Sequence, residues 1–255
     1  MRILQISSAQ TLGGGERHLA DLANGLAIRG HEVHAALRPN SPLLGELEKI
    51  PKENITTLPL RNALDANSAR DLSKLVRRNQ IQIVHAHMAR DYPAAAYAVR
   101  LNQNSQLIVT RHVLFSLNRL HRITLSGAAR IVAVSHSVAA QLRAEGTVPA
   151  EKISVVQNGI DVDRFRKAQE KFSRQQFLEA WALPSNSLLI GTVGELTPLK
   201  GQEDFLRAAA RVVESYPNTY FFIAGIGGAR ENKYRVVLER LIESLKLTER
   251  VRLVG

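Results

Sequence analysis

Short, nearly continuous apolar segments alternate along this chain with longer ones in which apolar residues recur every third or fourth position. Met1-Arg-Ile-Leu-Gln-Ile-Ser7 is the first of the short kind. Leu19, Leu22, Ala23 and Leu26, closed by Gly30, form the first helical stripe. The same reading predicts strands over Glu32–Leu37, Ile55–Leu60, Ile81–His87, Gln106–Thr110, Arg130–Val134 and Ile153–Val156. Helices are predicted over 66–78, 93–101, 117–126 and 136–144. Strands that are apolar throughout, separated by helices, indicate a parallel sheet covered on both faces. Residues 1–160 therefore hold one complete doubly wound, Rossmann-like domain.

The rhythm breaks at Asn158-Gly159, a turn signal, and the residues after it read as charged and irregular as far as Lys171. Helical character resumes at Phe172. Ser173 and Gln176 have capping-box spacing, and Phe172 with Phe177 matches a hydrophobic staple. The boundary is placed here, giving a first domain over 1–168 and a second over 169–255. In the second, strands are expected over Ser187–Val193, Thr219–Ala224 and Val251–Val254. Between them lie a helix over 202–216 and one carrying Val237, Leu238, Leu241, Ile242 and Leu245 on its apolar face. This is a βαβαβ half of a Rossmann-like domain. Its last strand is read as one that would be central in the intact sheet, which leaves one sheet face and one strand edge uncovered and predicts self-association, or a swap of the C-terminal half with a second copy.

Composition narrows the function classes. The 255 residues contain no cysteine, which excludes disulfides, thiolate chemistry and Cys-based zinc sites and fits a cytoplasmic protein. No apolar run reaches the length needed to span a bilayer. The formal charge is +11. No acidic residue lies between Asp91 and Glu145, a stretch that contains Arg100, Arg111, Arg119, Arg122, Arg130 and Arg143. Such an excess points to an anionic partner: phosphate groups, an anionic membrane surface reached peripherally, or nucleic acid. Nucleic acid is disfavoured, because no recognition-helix motif is present and aromatics make up only 5% of the chain. A solvated basic face with no dedicated partner is the alternative.

Candidate chemistry begins at Gly13-Gly14-Gly15-Glu16-Arg17, between the first strand and the first helix. Glycines admit a ligand close to the backbone, and a helix N-terminus offers free N–H groups to an anion. The loop is neither a Walker motif nor a Gly-x-Gly-x-x-Gly fingerprint, and a tight turn without a ligand is the alternative. Lys200 precedes Gly201 and a predicted helix, where it would add a charge to a phosphate site; a surface lysine is the other reading. His112 follows a strand directly and faces the ligand crevice, unless it is a packed or capping histidine. His85 and His87, two apart on one strand, share a face but make a thin case for a metal, and none is expected. Asp161-Val-Asp163 reads as capping chemistry at the boundary. No Gly-x-Ser-x-Gly element, cysteine nucleophile or carboxylate pair supports a hydrolase.

An ordered set of motifs carries a resemblance. Gly13-Gly-Gly-Glu-Arg17, Arg29-Gly-His-Glu-Val33, Val84-His-Ala-His87, Val109-Thr-Arg-His112, Ala133-Val-Ser135, Asn158-Gly-Ile-Asp161 with Phe165, and Val193-Gly-Glu-Leu-Thr-Pro-Leu-Lys-Gly201 follow one another along the chain. The set resembles the GT-B retaining glycosyltransferases of family 4, the group 1 glycosyltransferases. The resemblance implies a GT-B type α/β architecture that moves a sugar from a nucleotide-diphosphate donor to an acceptor, such as a lipid-linked or envelope glycan, with retention. It implies no cofactor, the nucleotide sugar being a substrate. Carried over by motif, Gly14 and Gly15 approach the donor phosphates, His112 faces the transferred sugar, and Lys200 neutralises the diphosphate leaving group. Glu195 and Gly227 fall on the donor side, and Glu16, Arg17 and His87 on the acceptor side. Glu195 departs from the family's Gly-Arg-Leu pattern and puts a carboxylate where a phosphate-binding cation is usual. The family's two glutamates, eight residues apart, would lie beyond Gly255. This implies that the 255-residue chain is inactive alone, or is a non-catalytic acceptor-binding or assembly module completed by another chain.

Overall fold

The computed structural model describes residues 1–117, 119–146, 148–226 and 231–255. Two compact units divide the chain, Met1–Ile160 and Asp161–Gly255.

The first unit runs β1 (Arg2–Ser7), α1 (Gly14–Ile28), β2 (Glu32–Leu37), β3 (Ile55–Thr57), α2 (Ala66–Arg78), β4 (Ile83–Ala86), α3 (Tyr92–Arg100), β5 (Gln106–Arg111), α4 (Arg119–Ser126), β6 (Arg130–Ala133), α5 (His136–Glu145) and β7 (Ile153–Val155). The strands form one parallel sheet in the order β3-β2-β1-β4-β5-β6-β7. Because successive side chains point to opposite faces, one strand feeds two cores. Val33, Ala35 and Leu37 of β2 pack with Leu19, Ala20 and Ala23 of α1. Ala36, with Leu4 and Ile6 of β1, joins the opposite core, with Leu72 and Val76 of α2 and Ala95 of α3. The strand order reverses direction between β1 and β4. In open α/β sheets the ligand crevice lies outside the carboxyl ends of the strands at that reversal.

The second unit contains α6 (Val162–Glu170), α7 (Arg174–Ala180), β8 (Leu188–Val193), α8 (Gln202–Ser215), β9 (Thr219–Ala224), α9 (Glu231–Ser244) and β10 (Val251–Val254). Its parallel sheet has the order β10-β9-β8, around a core that includes Leu206, Phe221, Ile223 and Leu238. As read from the sequence, Ser173 caps α7 by accepting from the Gln176 N–H at 3.3 Å, and the Phe172 and Phe177 rings sit 5.8 Å apart.

Three sequence expectations are corrected. The stretch after Asp161 is helical as α6: the Asp161 carboxylate accepts from the N–H groups of Asp163 and Arg164, so the Asp-x-Asp pair nucleates a helix whose apolar content is too low to read by periodicity. β3 ends at Thr57, before Pro59, which cannot donate to a ladder. β10 is an edge strand, not a central one. The second sheet winds outward from β8 as the first winds outward from β1 through β2 to β3, so the strand equivalent to β1 is β8. β8 is the other edge of this sheet, and Leu188, Ile190 and Val193 on it are exposed.

Candidate active site

At the carboxyl end of the first sheet, β1 delivers Ser7 and Ser8, β4 leads into His87, and β5 leads into His112. Register sets these side by side, with Ala86 paired to Ile6 on one flank and to Val109 on the other. Helix α1 begins within the glycine loop. Gly13 is its N-cap, the Arg17 N–H makes the first helical bond to the Gly13 carbonyl at 3.0 Å, and the Glu16 carboxylate turns back to accept from the Gly13 N–H at 3.0 Å. The N–H groups of the first turn therefore have no partner within the helix. Gly15 is held against the His112 ring: a Cβ at that position would lie 3.6 Å from it. Neither Gly14 nor Gly15 has positive φ. Neither position therefore calls for a left-handed turn, and at Gly15 a Cβ would make an ordinary contact with the ring.

Four imidazoles share this end of the sheet. His85 bonds Thr110 Oγ1 through Nε2 at 2.8 Å, and its ring centroid lies 4.2 Å from that of His87. His87 Nε2 bonds Gln5 Oε1 at 2.9 Å, and His87 Nδ1 meets His112 Nε2 at 3.3 Å. His18, from the first turns of α1, stands edge-on to His112 with centroids 5.0 Å apart. Burial is the main reason these groups resist protonation: it holds His85 down to about 3 and His112 down to about 4, with the neighbouring imidazoles and, for His112, Arg111 adding to the effect. His87 is pushed well below its ordinary value and His18 is lowered, again chiefly by burial. At neutral pH the cluster is uncharged. Each ring offers one donor and one acceptor, which suits hydroxyl recognition and not proton donation.

A cavity of about 340 Å³ opens beside the cluster, lined by Gly15, Glu16, His87, Arg111, His112 and Phe115 among others. Arg111 is buried and its guanidinium donates to the Phe115 carbonyl, which anchors the loop after β5. Below, Asp91 Oδ2 accepts from the Ser8 N–H at 2.9 Å and ties the loop after β1 to the one after β4; burial raises its carboxyl above the usual range. A larger cavity, about 420 Å³, lies elsewhere, by Arg2, Gln80 and Asn102 near the amino ends of β1 and β5, away from this chemistry. Arg17 pairs with Glu46 and does not line the cavity beside the histidines.

In the second unit the loop Gly194–Gly201 crosses the carboxyl end of β8. Gly201, at φ 68°, takes the left-handed conformation and caps α8. Lys200 ends a single 3-10 turn, Pro198–Lys200, and its stem lies over Gly194: a Cβ there would be 3.8 Å from Lys200 Cδ. Among the described residues, neither Lys200 nor Glu195 has an ion-pair partner. Buried Gln202 donates from Nε2 to the Glu195 carbonyl at 2.8 Å and holds the loop. Gly227 lies outside the described residues.

The structure thus gathers Gly15, Glu16, His87 and His112 in one unit and Gly194, Glu195 and Lys200 in the other. Sequence reasoning missed His18, Gln5 and Arg111. The signal for His18 was its position three residues after Gly15, which puts both on one face of α1. Gln5 and Arg111 sit inside the apolar strands that carry the site, where a polar residue is informative.

Comparison with known proteins agrees with this architecture. Residues 12–164 match the model of Glycosyltransferase Family 4, and residues 173–255 match that of Glycosyl transferases group 1. A human phosphatidylinositol N-acetylglucosaminyltransferase subunit is 25% identical over 96% of this chain and 50% of its own length. D-inositol 3-phosphate glycosyltransferase of Thermobifida fusca is 32% identical over 49% of this chain and 29% of its own. The chain spans half or less of the length of these relatives. Among solved structures, a glycosyltransferase from Rickettsia africae superimposes with a TM-score of 0.83 at 22% identity, over 100% of this chain and 68% of that one. Anabaena HepE in complex with UDP and glucose gives 0.83 at 20% identity, over 100% and 69%. With one family model matching more than half of its length, and a GT-B neighbour fold across all of it, the chain belongs to glycosyltransferase family 4.

Proposed function

We propose that the chain carries the machinery for moving a sugar from a nucleotide-diphosphate donor to a hydroxyl acceptor with retention. The observation that carries this reading is the start of α1 against His112, at the reversal point of the first sheet: unpartnered helix N–H groups beside a neutral imidazole suit a phosphate next to a sugar. In the step proposed, the bond from the anomeric carbon to the diphosphate oxygen breaks. The acceptor oxygen bonds to that carbon on the same face, and the departing phosphate takes the acceptor proton. His112 hydrogen-bonds the sugar, Gly14 and Gly15 admit the phosphates, and Lys200 with the α8 N-terminus neutralises the leaving charge. Glu195 opposes that charge and sets a lower donor affinity than an arginine would. Glu16 and His87 line the acceptor side, while Arg17 is paired with Glu46. No cofactor takes part.

The acceptor proposed is lipid-linked or bears a phosphate, as the relatives' names, phosphatidylinositol and D-inositol 3-phosphate, support. No helix among the described residues is long and apolar enough to cross a membrane. An anionic membrane surface would instead be met by exposed Val113, Leu114 and Phe115, which sit in the acid-free stretch. A second reading, an assembly module that works with other chains, is supported by relatives named as subunits of a phosphatidylinositol N-acetylglucosaminyltransferase.

The test is transfer in the active protein, with product stereochemistry read by NMR. Lys200→Ala and His112→Ala should each lower turnover by on the order of 100-fold, with the anomeric configuration of the donor kept. Turnover within about twofold of the parent for both variants would overturn the assignment of these residues. Binding of a nucleoside diphosphate with no turnover, restored by adding a second chain, would favour the module.

A further inference from the structure

His18, His87 and His112 come from three separate places in the chain, α1, the end of β4 and the end of β5. One ligating nitrogen from each lies within 4.8 Å of the other two. We propose that these three imidazoles form a binding site for a single divalent transition-metal ion of the zinc class, each supplying one ring nitrogen.

The spacing is that of a ligand set. A tetrahedral ion with nitrogen ligands at about 2.0–2.1 Å holds those nitrogens about 3.3 Å from one another. His87 Nδ1 and His112 Nε2 already stand 3.3 Å apart. His18, half-buried on α1, offers a nitrogen within 4.8 Å of the other two, so its side chain has to move inward to ligate. Outer contacts select the nitrogens. Gln5 Oε1 accepts from His87 Nε2 at 2.9 Å, so the lone pair of His87 is on Nδ1, directed at His112. A carbonyl oxygen on the far nitrogen of a ligating histidine is the usual second contact in such sites. His85 is outside the set, because Thr110 occupies its Nε2.

Ligand type sets the class of ion. Neutral imidazoles suit zinc, nickel, copper and cobalt, whereas magnesium and calcium demand oxygen ligands. Three protein ligands leave a fourth position for water, on the side of the cavity lined by Gly15 and Glu16. The ion has no part in the transfer step proposed above; held on His112 Nε2 it would displace the sugar contact proposed for that ring, so metal and donor compete for His112.

The metal-free 255-residue chain, titrated with cobalt(II) and followed by visible absorption, tests the assignment. One equivalent is expected to produce the strong bands of a tetrahedral site. Zinc should displace the cobalt and millimolar magnesium should not. His18→Gln is expected to weaken cobalt binding at least tenfold, and Gln5→Leu, which leaves the three ligands in place, by about 10–100-fold. Circular dichroism checks that each variant is folded. The exposed histidine variant His136→Gln should bind as the parent does. Absence of tetrahedral bands in the parent would overturn the proposal. So would bands that survive His18→Gln and His112→Gln unchanged, or that are lost with His136→Gln.

Discussion

The loop carrying Lys200 packs against a glycine just after the neighbouring strand, and replacing that glycine should be costly. Gly225 follows β9, donates its N–H to the Val254 carbonyl at 2.8 Å, and lies against Gly194, whose own N–H donates to the Ala224 carbonyl at 3.0 Å. A Cβ at Gly225 would sit 1.9 Å from the Gly194 carbonyl oxygen and 2.9 Å from its carbonyl carbon. Overpacking a well-ordered interior costs about 1–3 kcal/mol when side chains can shift. Here the obstacle is backbone fixed by a sheet bond, with no rotamer to yield, so Gly225→Ala should cost about 3 kcal/mol. That is a large share of the stability of a small unit. The chain has one tryptophan, Trp181, packed against Phe222 of the second unit, so its fluorescence in a urea titration reports this unit. Gly191→Ala is the control: a Cβ there meets only ordinary contacts, the nearest at 3.5 Å, and should be tolerated. If Gly225→Ala unfolds within about 0.5 kcal/mol of the parent, the two loops do not pack as described and the placement of Lys200 over Gly194 fails with them.

In the metal-free chain, acid should destabilise the first unit well above the carboxylate range. With His85 held to about 3 and His112 to about 4 in the fold, the unfolded chain takes up protons that the native state refuses, so stability is intact above about 6.5 and is lost as pH falls below it. Each of the two contributes a loss of about 2 kcal/mol by about pH 5, and a melting temperature that is flat over this range would contradict their burial as neutral rings. Vesicle sedimentation should show salt-sensitive binding to anionic lipid, weakened roughly tenfold by Phe115→Ser, because this exposed ring lies in the acid-free stretch; equal binding to neutral vesicles would remove the electrostatic argument. Asp65→Ala should lower stability by about 1 kcal/mol, since the carboxylate caps α2 by accepting from the Ser68 N–H at 3.1 Å and also from the Arg61 N–H at 3.0 Å; an unchanged thermal midpoint would deny the cap that role.

What could be read in the sequence depended on whether local pattern or distant pairing decided the outcome. The parallel strands were legible because each is apolar through its length, and the amphipathic helices because Leu72, Leu75 and Val76 or Leu19 and Ala23 recur at helical spacing. Helix α6 was not, because none of its residues is buried and its Asp161 cap was the sole local signal. The position of β10 could not be read either, since order within a sheet is set by which strand edges meet and not by the composition of the strand.

The site divides along the same line. Gly13 to Gly15, His87 and His112 stood out because they interrupt strand-to-helix junctions at the carboxyl end of a parallel sheet, where the topology itself makes a crevice. Their interdependence did not stand out. His18 becomes a neighbour of His112 only because β1 and β5 flank β4 and α1 folds back over the reversal point, which joins residues 18, 87 and 112 across most of the unit. The glycine loop shows the same gap between pattern and cause. Three glycines in a row suggest conformational freedom, yet neither Gly14 nor Gly15 has positive φ, and a Cβ at Gly15 would meet the His112 ring at 3.6 Å, an ordinary contact. The loop and the histidine therefore form one packed unit. Gly15→Ala should be tolerated, whereas a longer side chain at Gly15 should act on the site by displacing His112, even if it leaves the helix intact.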